Sequence, residues 1–498
     1  MLRKTLSLIL TLIIVGSFFA SCKENENKTS GSSHDTEGFS TSEYKADLPQ
    51  KDYKGYEFRI LQRDHSQGWG EKGFFAESDS SNVFDAAVYK RNGIIENRYN
   101  IAIKTIEVVD NNIAGGALYR KAFSSLSTYS DDYDMILPSA YDAITLSNSG
   151  QLLDLSEQEY IDLSAPWWAE SLNRSIALGG KQYYAVSDAM FNDKLDSAIL
   201  LFNKELMSES KLEEPYALVK NKEWTLDKFK EYLVGYGGDI NSDGVEGYED
   251  KYGAFLFELS GIIVGAGITG ASLDEEGIPH INELTPKYET VFDKIFHIVN
   301  TPYMVFDMYN YDGPRMETYT EASPNEVIDA IWRKFRDGDT LFCGCAVETI
   351  SYYLRDMDGY GIIPYPMADE SQDQYYNRVG HTGATFITIP YTVVDADRSA
   401  IVIEDLSCEA KNIISPAFYD QLIGEISVRD DGSAEMLDII FSSGVLDLDM
   451  IYEWGAFVTR WHTLITQNIY ELASTYEGNI TPANEKLLNT LKNLGLAE

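Results

Sequence analysis

Residues 239–250 read Asp239-Ile240-Asn241-Ser242-Asp243-Gly244-Val245-Glu246-Gly247-Tyr248-Glu249-Asp250, a spacing that can turn alternate oxygens toward one centre. Calcium takes about six to eight oxygen ligands. Here Asp239, Asn241 and Asp243 would supply side-chain oxygens, Val245 a backbone carbonyl, Gly244 the sharp turn, and Asp250 the closing carboxylate. The closing residue is the short Asp rather than Glu, and Gly247 leaves one position to water. A structural Ca2+ without a catalytic part is expected, and a plain acidic turn is the alternative. Other chemistry finds less support. Gly265-Ala266-Gly267-Ile268-Thr269-Gly270 fits a dinucleotide-type glycine pattern, but the polar run 271–281 that follows is not helical, so these glycines end a helix. The six His are scattered without a metal-binding pair, and no Gly-x-Ser-x-Gly elbow occurs. With 79 Asp and Glu, some acids fall at every spacing, so carboxylate pairs carry no information.

Groups of this kind need a folded body to position them. The chain has 498 residues, 44% hydrophobic and 24% charged, which excludes a disordered polymer and allows about two to four domains. A net charge of −39 excludes nucleic acid as the main partner. Aromatic residues make up 12%, enough for both cores and ring stacking on a sugar. At the N-terminus, Arg3 and Lys4 precede an apolar run over 6–19 that is too short for a secure membrane span, so 1–22 reads as an export signal. Its end, Phe19-Ala20-Ser21-Cys22, resembles a bacterial lipobox, which would make Cys22 the acylated first residue of the mature chain. Residues 23–50 are polar and read as a flexible tether. Cys343, Cys345 and Cys408 then remain, an odd number expected as buried free thiols.

After the tether, strand and helix patterns alternate. Tyr56 to Leu61 alternates as a half-buried strand, and Phe84, Val88, Ile95 and Tyr99 follow at helical spacing behind Asn82 as N-cap. A second strand covers 101–109, a helix 118–126, and a short strand 133–137 ends at Pro138. Thr225 is placed to cap a helix running to Leu233. This rhythm is α/β, a sheet with helices on both faces.

Several stretches resemble the extracytoplasmic solute-binding lipoproteins of bacterial ABC importers, in the carbohydrate-binding branch (family 1). They are Asp52-Tyr53-Lys54-Gly55-Tyr56-Glu57-Phe58, Asp85-Ala86-Ala87-Val88-Tyr89-Lys90-Arg91-Asn92, Glu96-Asn97-Arg98-Tyr99-Asn100-Ile101, Tyr133-Asp134-Met135-Ile136, Phe202-Asn203-Lys204-Glu205-Leu206 and Tyr360-Gly361-Ile362-Ile363-Pro364-Tyr365-Pro366. Arg429-Asp430, Glu435-Met436-Leu437 and Trp454-Gly455 fit the closing helices. Their order over most of 50–460 carries the resemblance.

The resemblance implies a two-lobed periplasmic-binding-protein-like fold (type II), with a ligand cleft between lobes joined by hinge crossovers. Lobe one would hold 51–188 and 366–420, lobe two 189–365, and the helices of 421–498 would brace both. Sugars are gripped by rings against their C–H faces and by carboxylates or amides on paired hydroxyls. Residues after strands or near the hinge that could do this are Asp64, Trp69, Tyr141, Asp188 and Glu348, with Trp454 on a late helix. Trp167-Trp168 is an adjacent pair whose rings would face opposite ways on a strand, so at most one could stack a ligand. His381, between Gly380 and Gly383, is a loop histidine that could reach the cleft. The implied function is a non-enzymatic, monomeric, lipid-anchored receptor that hands a carbohydrate to an ABC permease. A surface glycan-binding lipoprotein, a receptor for peptide or another solute, and a glycoside hydrolase are the other readings.

Overall fold

The computed structural model describes residues 44–497 apart from 67–71, 78–81, 113, 245, 248–249, 308–330, 355–356, 358, 382 and 426–430. The export signal, Cys22 and most of the expected tether lie outside the described residues. The end of that tether is described, and it is not free. Tyr44 and Asn412 exchange two hydrogen bonds of 2.9 Å, while Ala46 and Leu48 pack on the core. Residues 44–50 thus belong to the folded body, because their apolar side chains find a surface beside the helix Ala396–Glu425.

Three parallel strands open the first lobe: β1 (Tyr56–Arg63), β2 (Ile101–Val108) and β3 (Met135–Ile136), in the order β2-β1-β3. The helix Val83–Tyr99 connects the first two, and the Asn82 side chain accepts from the amides of Phe84 and Asp85 at its start. It buries Phe84, Val88, Ile95 and Tyr99 and packs against Ala396–Glu425. The sheet continues through later chain: Thr388 bridges Ile136 in antiparallel sense, and Ile387 bridges Ala185. Beneath it Asp134 is fully buried. Arg59 Nε at 2.9 Å and Arg398 Nη2 at 3.0 Å compensate its charge, tying the sheet to the long helix. Removing one partner from such a buried pair typically costs about 3–5 kcal/mol.

The second lobe contains β4 (Ala198–Asn203), β5 (Tyr252–Leu256), the hairpin β6 (Ala271–Leu273) and β7 (Pro279–Ile281), β8 (Val305–Asp307), β9 (Thr340–Ala346) and β10 (Tyr360–Ile363). Its main sheet has the order β10-β4-β9-β5-β8. β4 runs antiparallel to both neighbours, and β5 is parallel to β8 and β9. Central β4, Ala-Ile-Leu-Leu-Phe-Asn, is buried throughout, which explains its unbroken apolar run. On β9, Cys343 and Cys345 are free and buried in the same core cluster, as strand alternation predicts. Thr225 accepts from the Lys228 amide and caps Leu226–Leu233, as its position predicts. The helix Ser260–Gly265 ends where glycines were expected to end one, with Gly267 at φ +75°.

The chain crosses between lobes near 187–197 and returns through 364–383. Ser197 bridges Val379, and the Gly380 amide donates to the Asp196 carbonyl at 3.0 Å, so the two runs form a narrow antiparallel ribbon. Beside it, β11 (Asn377–Arg378) pairs in parallel with β12 (Gly444–Val445). Further along, Val458, Trp461 and Leu464 join the second-lobe core. Trp454, Ala483 and Leu487 join a cluster with Ala140, Tyr184 and Phe386 of the first lobe.

Candidate functional site

Loops after the carboxyl ends of parallel strands converge on the crevice of an α/β sheet. In the first lobe these positions are Asp64 after β1 and Tyr141 after β3. In the second they are Glu258 after β5, Asp307 ending β8, and Glu348 after β9. The ribbon adds Asp196, Arg378 and His381. Arg378 joins the set, with Nη2 3.0 Å from Glu258 Oε2. Its guanidinium also lies close enough to act on Tyr141, Asp196, His381 and His462.

These charged groups are mostly buried but not sealed from solvent. Glu258 is walled in by protein, yet about a third of its side chain (34%) stays open, against 14% for Arg378. Burial opposes its ionisation, but Arg378 and the Ser260 hydroxyl hold its pKa below the ordinary carboxylate value. His462 Nε2 lies 2.8 Å from Asp307 Oδ2. Burial disfavours its imidazolium, and the bond and charge of Asp307 more than offset this, so its pKa rises. His381 goes the other way, to about 4, through burial and then the nearby Arg378. Asp196 is pushed up to about 7 by burial and by the Glu348 charge. A Cβ on Gly383 would sit 1.8 Å from Asp196 Oδ2, so only glycine allows the ribbon this close to the carboxyl.

Rings flank the charged groups. Tyr141 meets His381 edge-on, with centroids 5.7 Å apart. Phe257, directly after β5, stacks on Trp332 at 5.0 Å, and Trp332 on Tyr353 at 5.2 Å. The Phe257, Trp332 and Tyr353 stack belongs to the core, with Trp332 only 1% exposed, whereas the carboxylates, the guanidinium and Tyr141 at these strand ends can hydrogen-bond a polyhydroxylated solute and pack on it.

No protein-family model matches this sequence, and no curated protein matches it. Solved structures do. UspC from M. tuberculosis aligns with a TM-score of 0.54 at 12% identity, covering 86% of this chain and 100% of that one. A cyclo/maltodextrin-binding protein complexed with maltotetraose aligns with a TM-score of 0.51 at 13% identity over 87% of this chain and 98% of that one. RafE from Streptococcus pneumoniae, in its apo form, gives 0.50 at 14% over 89% and 99%. This is the two-lobed, periplasmic-binding-protein-like fold. At such identities the likeness fixes architecture, and the crevice built above is the interlobe cleft of that architecture.

The residues singled out from sequence scatter within this binding-protein fold. Tyr141 and Glu348 stand at the cleft. Asp64 lies at the first-lobe end of β1, where its Oδ1 accepts from the Ser66 amide and hydroxyl. Beside it His65 pairs with Glu107 at 2.9 Å. Asp188 belongs elsewhere: its carboxylate takes Lys194 at 3.2 Å and Lys411 at 2.9 Å on the other side of the ribbon. Trp454 is a core residue, only 2% exposed, stacked on Tyr452 at 4.7 Å and donating its N–H to Thr490. Trp69 lies outside the described residues. Trp167 and Trp168 do not face opposite ways, since both indoles donate to Glu404, one to each oxygen at 3.0 Å. Trp167 lies in a turn and Trp168 in an isolated antiparallel bridge to Ser187, and both are buried. Sequence reasoning passed over Asp196, Glu258, Asp307, Arg378 and His462. An acid directly after an apolar strand was the available signal for Glu258 and Asp307, whereas Arg378 and His462 carried none.

The acidic loop closes on its own backbone. Asp239 accepts from the amides of Ser242 (2.6 Å) and Gly244 (3.0 Å), and Asn241 Oδ1 accepts from the Asp243 amide at 2.9 Å. Asp250 is fully buried and accepts from Ile240 at 3.2 Å and Gly247 at 2.9 Å. Val245 lies outside the described residues. Among the described residues, Asp239, Asp243 and Asp250 do not bring one oxygen each within 4.8 Å of one another. The turn suits the sequence pattern, and in it the side-chain oxygens of Asp239, Asn241 and Asp250 are engaged by backbone amides.

Proposed function

We propose that this protein is an extracytoplasmic solute-binding receptor that captures a carbohydrate of oligosaccharide size and delivers it to an ABC permease. The observation that carries the reading is the cleft itself. Arg378, Glu258, Glu348 and Asp196 present planar hydrogen-bonding groups beside Tyr141, on walls contributed by both lobes and the ribbon between them. A solute bridging such walls favours the closed arrangement over the open one. The architecture shared with a maltotetraose-bound protein supports a sugar as cargo. In this reading the receptor catalyses no turnover, and Cys22 carries lipid that holds it at the outer face of the membrane.

The test is thermal unfolding of the protein against mono- and oligosaccharides, with peptides as a parallel panel. A ligand at about 100 times its dissociation constant adds roughly 2.7 kcal/mol to native stability, a rise of a few degrees. A shift confined to one glycan class is expected. Response to peptides alone would overturn the carbohydrate assignment, and steady release of sugar products would overturn the receptor in favour of a hydrolase.

A further inference from the structure

The carboxyl ends of β1 and β2 carry a cluster of their own. Among the described residues, only Asp64, His65 and Glu107 form a trio of His, Cys, Asp or Glu that brings one ligand atom each within 4.8 Å of one another. In a chain with 79 acids a chance trio would hold carboxylates alone, yet this one includes an imidazole, of which the chain has six. The backbone puts the three together. β1 and β2 run parallel with Gln62 opposite Glu107, and Asp64 stands two residues beyond Gln62, so all three side chains issue from one face. The Asp64 amide donates to the Val108 carbonyl at 3.0 Å and keeps the chain beside β2 past the end of β1. His65 Nδ1 then lies 2.9 and 3.0 Å from the two oxygens of Glu107.

Each member is also held from behind. Ser66 donates its amide and its hydroxyl to Asp64 Oδ1 at 2.9 and 2.6 Å, which leaves Oδ2 for another contact. Gln62 Nε2 and the His65 amide donate to Glu107 Oε1 at 3.0 and 3.2 Å. Phe75 stacks on the imidazole, with centroids 4.2 Å apart and planes 27° from parallel. Outer contacts of this kind orient the ligands of metal sites. The His65 and Glu107 side chains stay 37% and 21% exposed, so an ion has a way in. Two atoms about 2.1 Å from one metal stand roughly 3.0–3.4 Å apart, and His65 and Glu107 already sit at about that separation. A plain ion pair would account for these two but not for Asp64 within reach of both.

We propose that Asp64, His65 and Glu107 bind a divalent metal ion of the zinc class at the strand ends of the first lobe. One imidazole nitrogen with two carboxylates suits Zn2+ better than Ca2+ or Mg2+, which prefer oxygen alone. Three protein ligands leave a position open to water or to an oxygen of a bound solute. The proposal does not depend on the cleft's cargo being a sugar.

The experiment is calorimetric titration of the full chain with ZnCl2 in a Cys22→Ser background, where the other three cysteines are buried. One saturable site is expected, with binding at least about tenfold weaker in His65→Ala and in Asp64→Asn. Both variants should keep the wild-type far-ultraviolet spectrum and a cooperative melt without metal. Asp64→Asn retains an oxygen for the Ser66 bonds, so it decides the matter if His65→Ala does not fold. Zn2+ should also shift the His65 ring resonances, identified by their loss in His65→Ala, and CaCl2 at the same concentration should not. Absence of saturable binding overturns the proposal. So does Zn2+ binding that survives His65→Ala in a folded protein, which would place the ion on the general acidic surface. Displacement of Zn2+ by an equal concentration of Ca2+ would overturn it too, since carboxylates alone would then hold the ion.

Discussion

The two faces of one ribbon handle charge in opposite ways. On the cleft face, Glu258 and Arg378 pair but remain in reach of solvent, and Glu348 and Asp196 stand close to each other. On the rear face, Lys194 is buried against two carboxylates and Lys411 adds a third contact, so both lysines are paired within the protein. Pairing inside the fold serves architecture, whereas groups left partly open serve a visitor. The difference also separates Asp188 from Asp196, two acids of the same crossing that serve opposite faces.

That contrast can be broken most forcefully at the rear. Lys194→Met leaves Asp188 and Asp193 facing each other in a buried site, and a stability loss of about 3–5 kcal/mol in denaturant unfolding is expected. Sugar affinity of the folded fraction should not change. A mild loss would mean that the rear charges are solvated after all.

A second effect concerns pH. Burial pushes Glu404 up to about 7, although the Trp168 and Trp167 N–H groups work against the rise. A carboxyl whose folded pKa is raised adds stability below its unfolded value, and that stability is lost as pH climbs through the folded one. The melting temperature should therefore fall between about pH 5 and pH 8, and Glu404→Gln should flatten the slope by up to about 3 kcal/mol, at 1.36 kcal/mol per pKa unit. An unchanged slope would assign the dependence to Asp196 or Asp447, both also pushed up to about 7.

On the cleft face, Tyr141→Ala should weaken sugar binding by about 2 kcal/mol, some thirtyfold in Kd, with little change in unfolding. Equal losses in binding and stability would make Tyr141 a packing residue. The smallest effect is expected at the acidic loop. Since Asp239 and Asp250 are held by backbone amides, a chelator should move the melting point by less than about 1 °C. A fall of several degrees would show that calcium fastens the loop, as the ligand spacing expects.

Local signals in the sequence were legible. Asn82 and Thr225 cap the helices they precede, β1 and β2 follow the apolar alternation, and the glycines near 265 end a helix. The positions of Tyr141 and Glu348 were legible because they come soon after the strands β3 and β9. The rest of the cleft was hidden for a physical reason: Glu258 and Arg378, or Asp307 and His462, are brought together by topology over more than a hundred residues. In a chain with 79 acids nothing local distinguishes those that meet a cation from those that meet water. Trp167 and Trp168 show the converse limit, since alternation holds along a strand and fails where the chain leaves a turn.

The hydrogen-bonded clasp between Tyr44 and Asn412 determines where mechanical load enters the folded body. A pull from the upstream chain is delivered to the long helix of the first lobe before it can reach the ribbon.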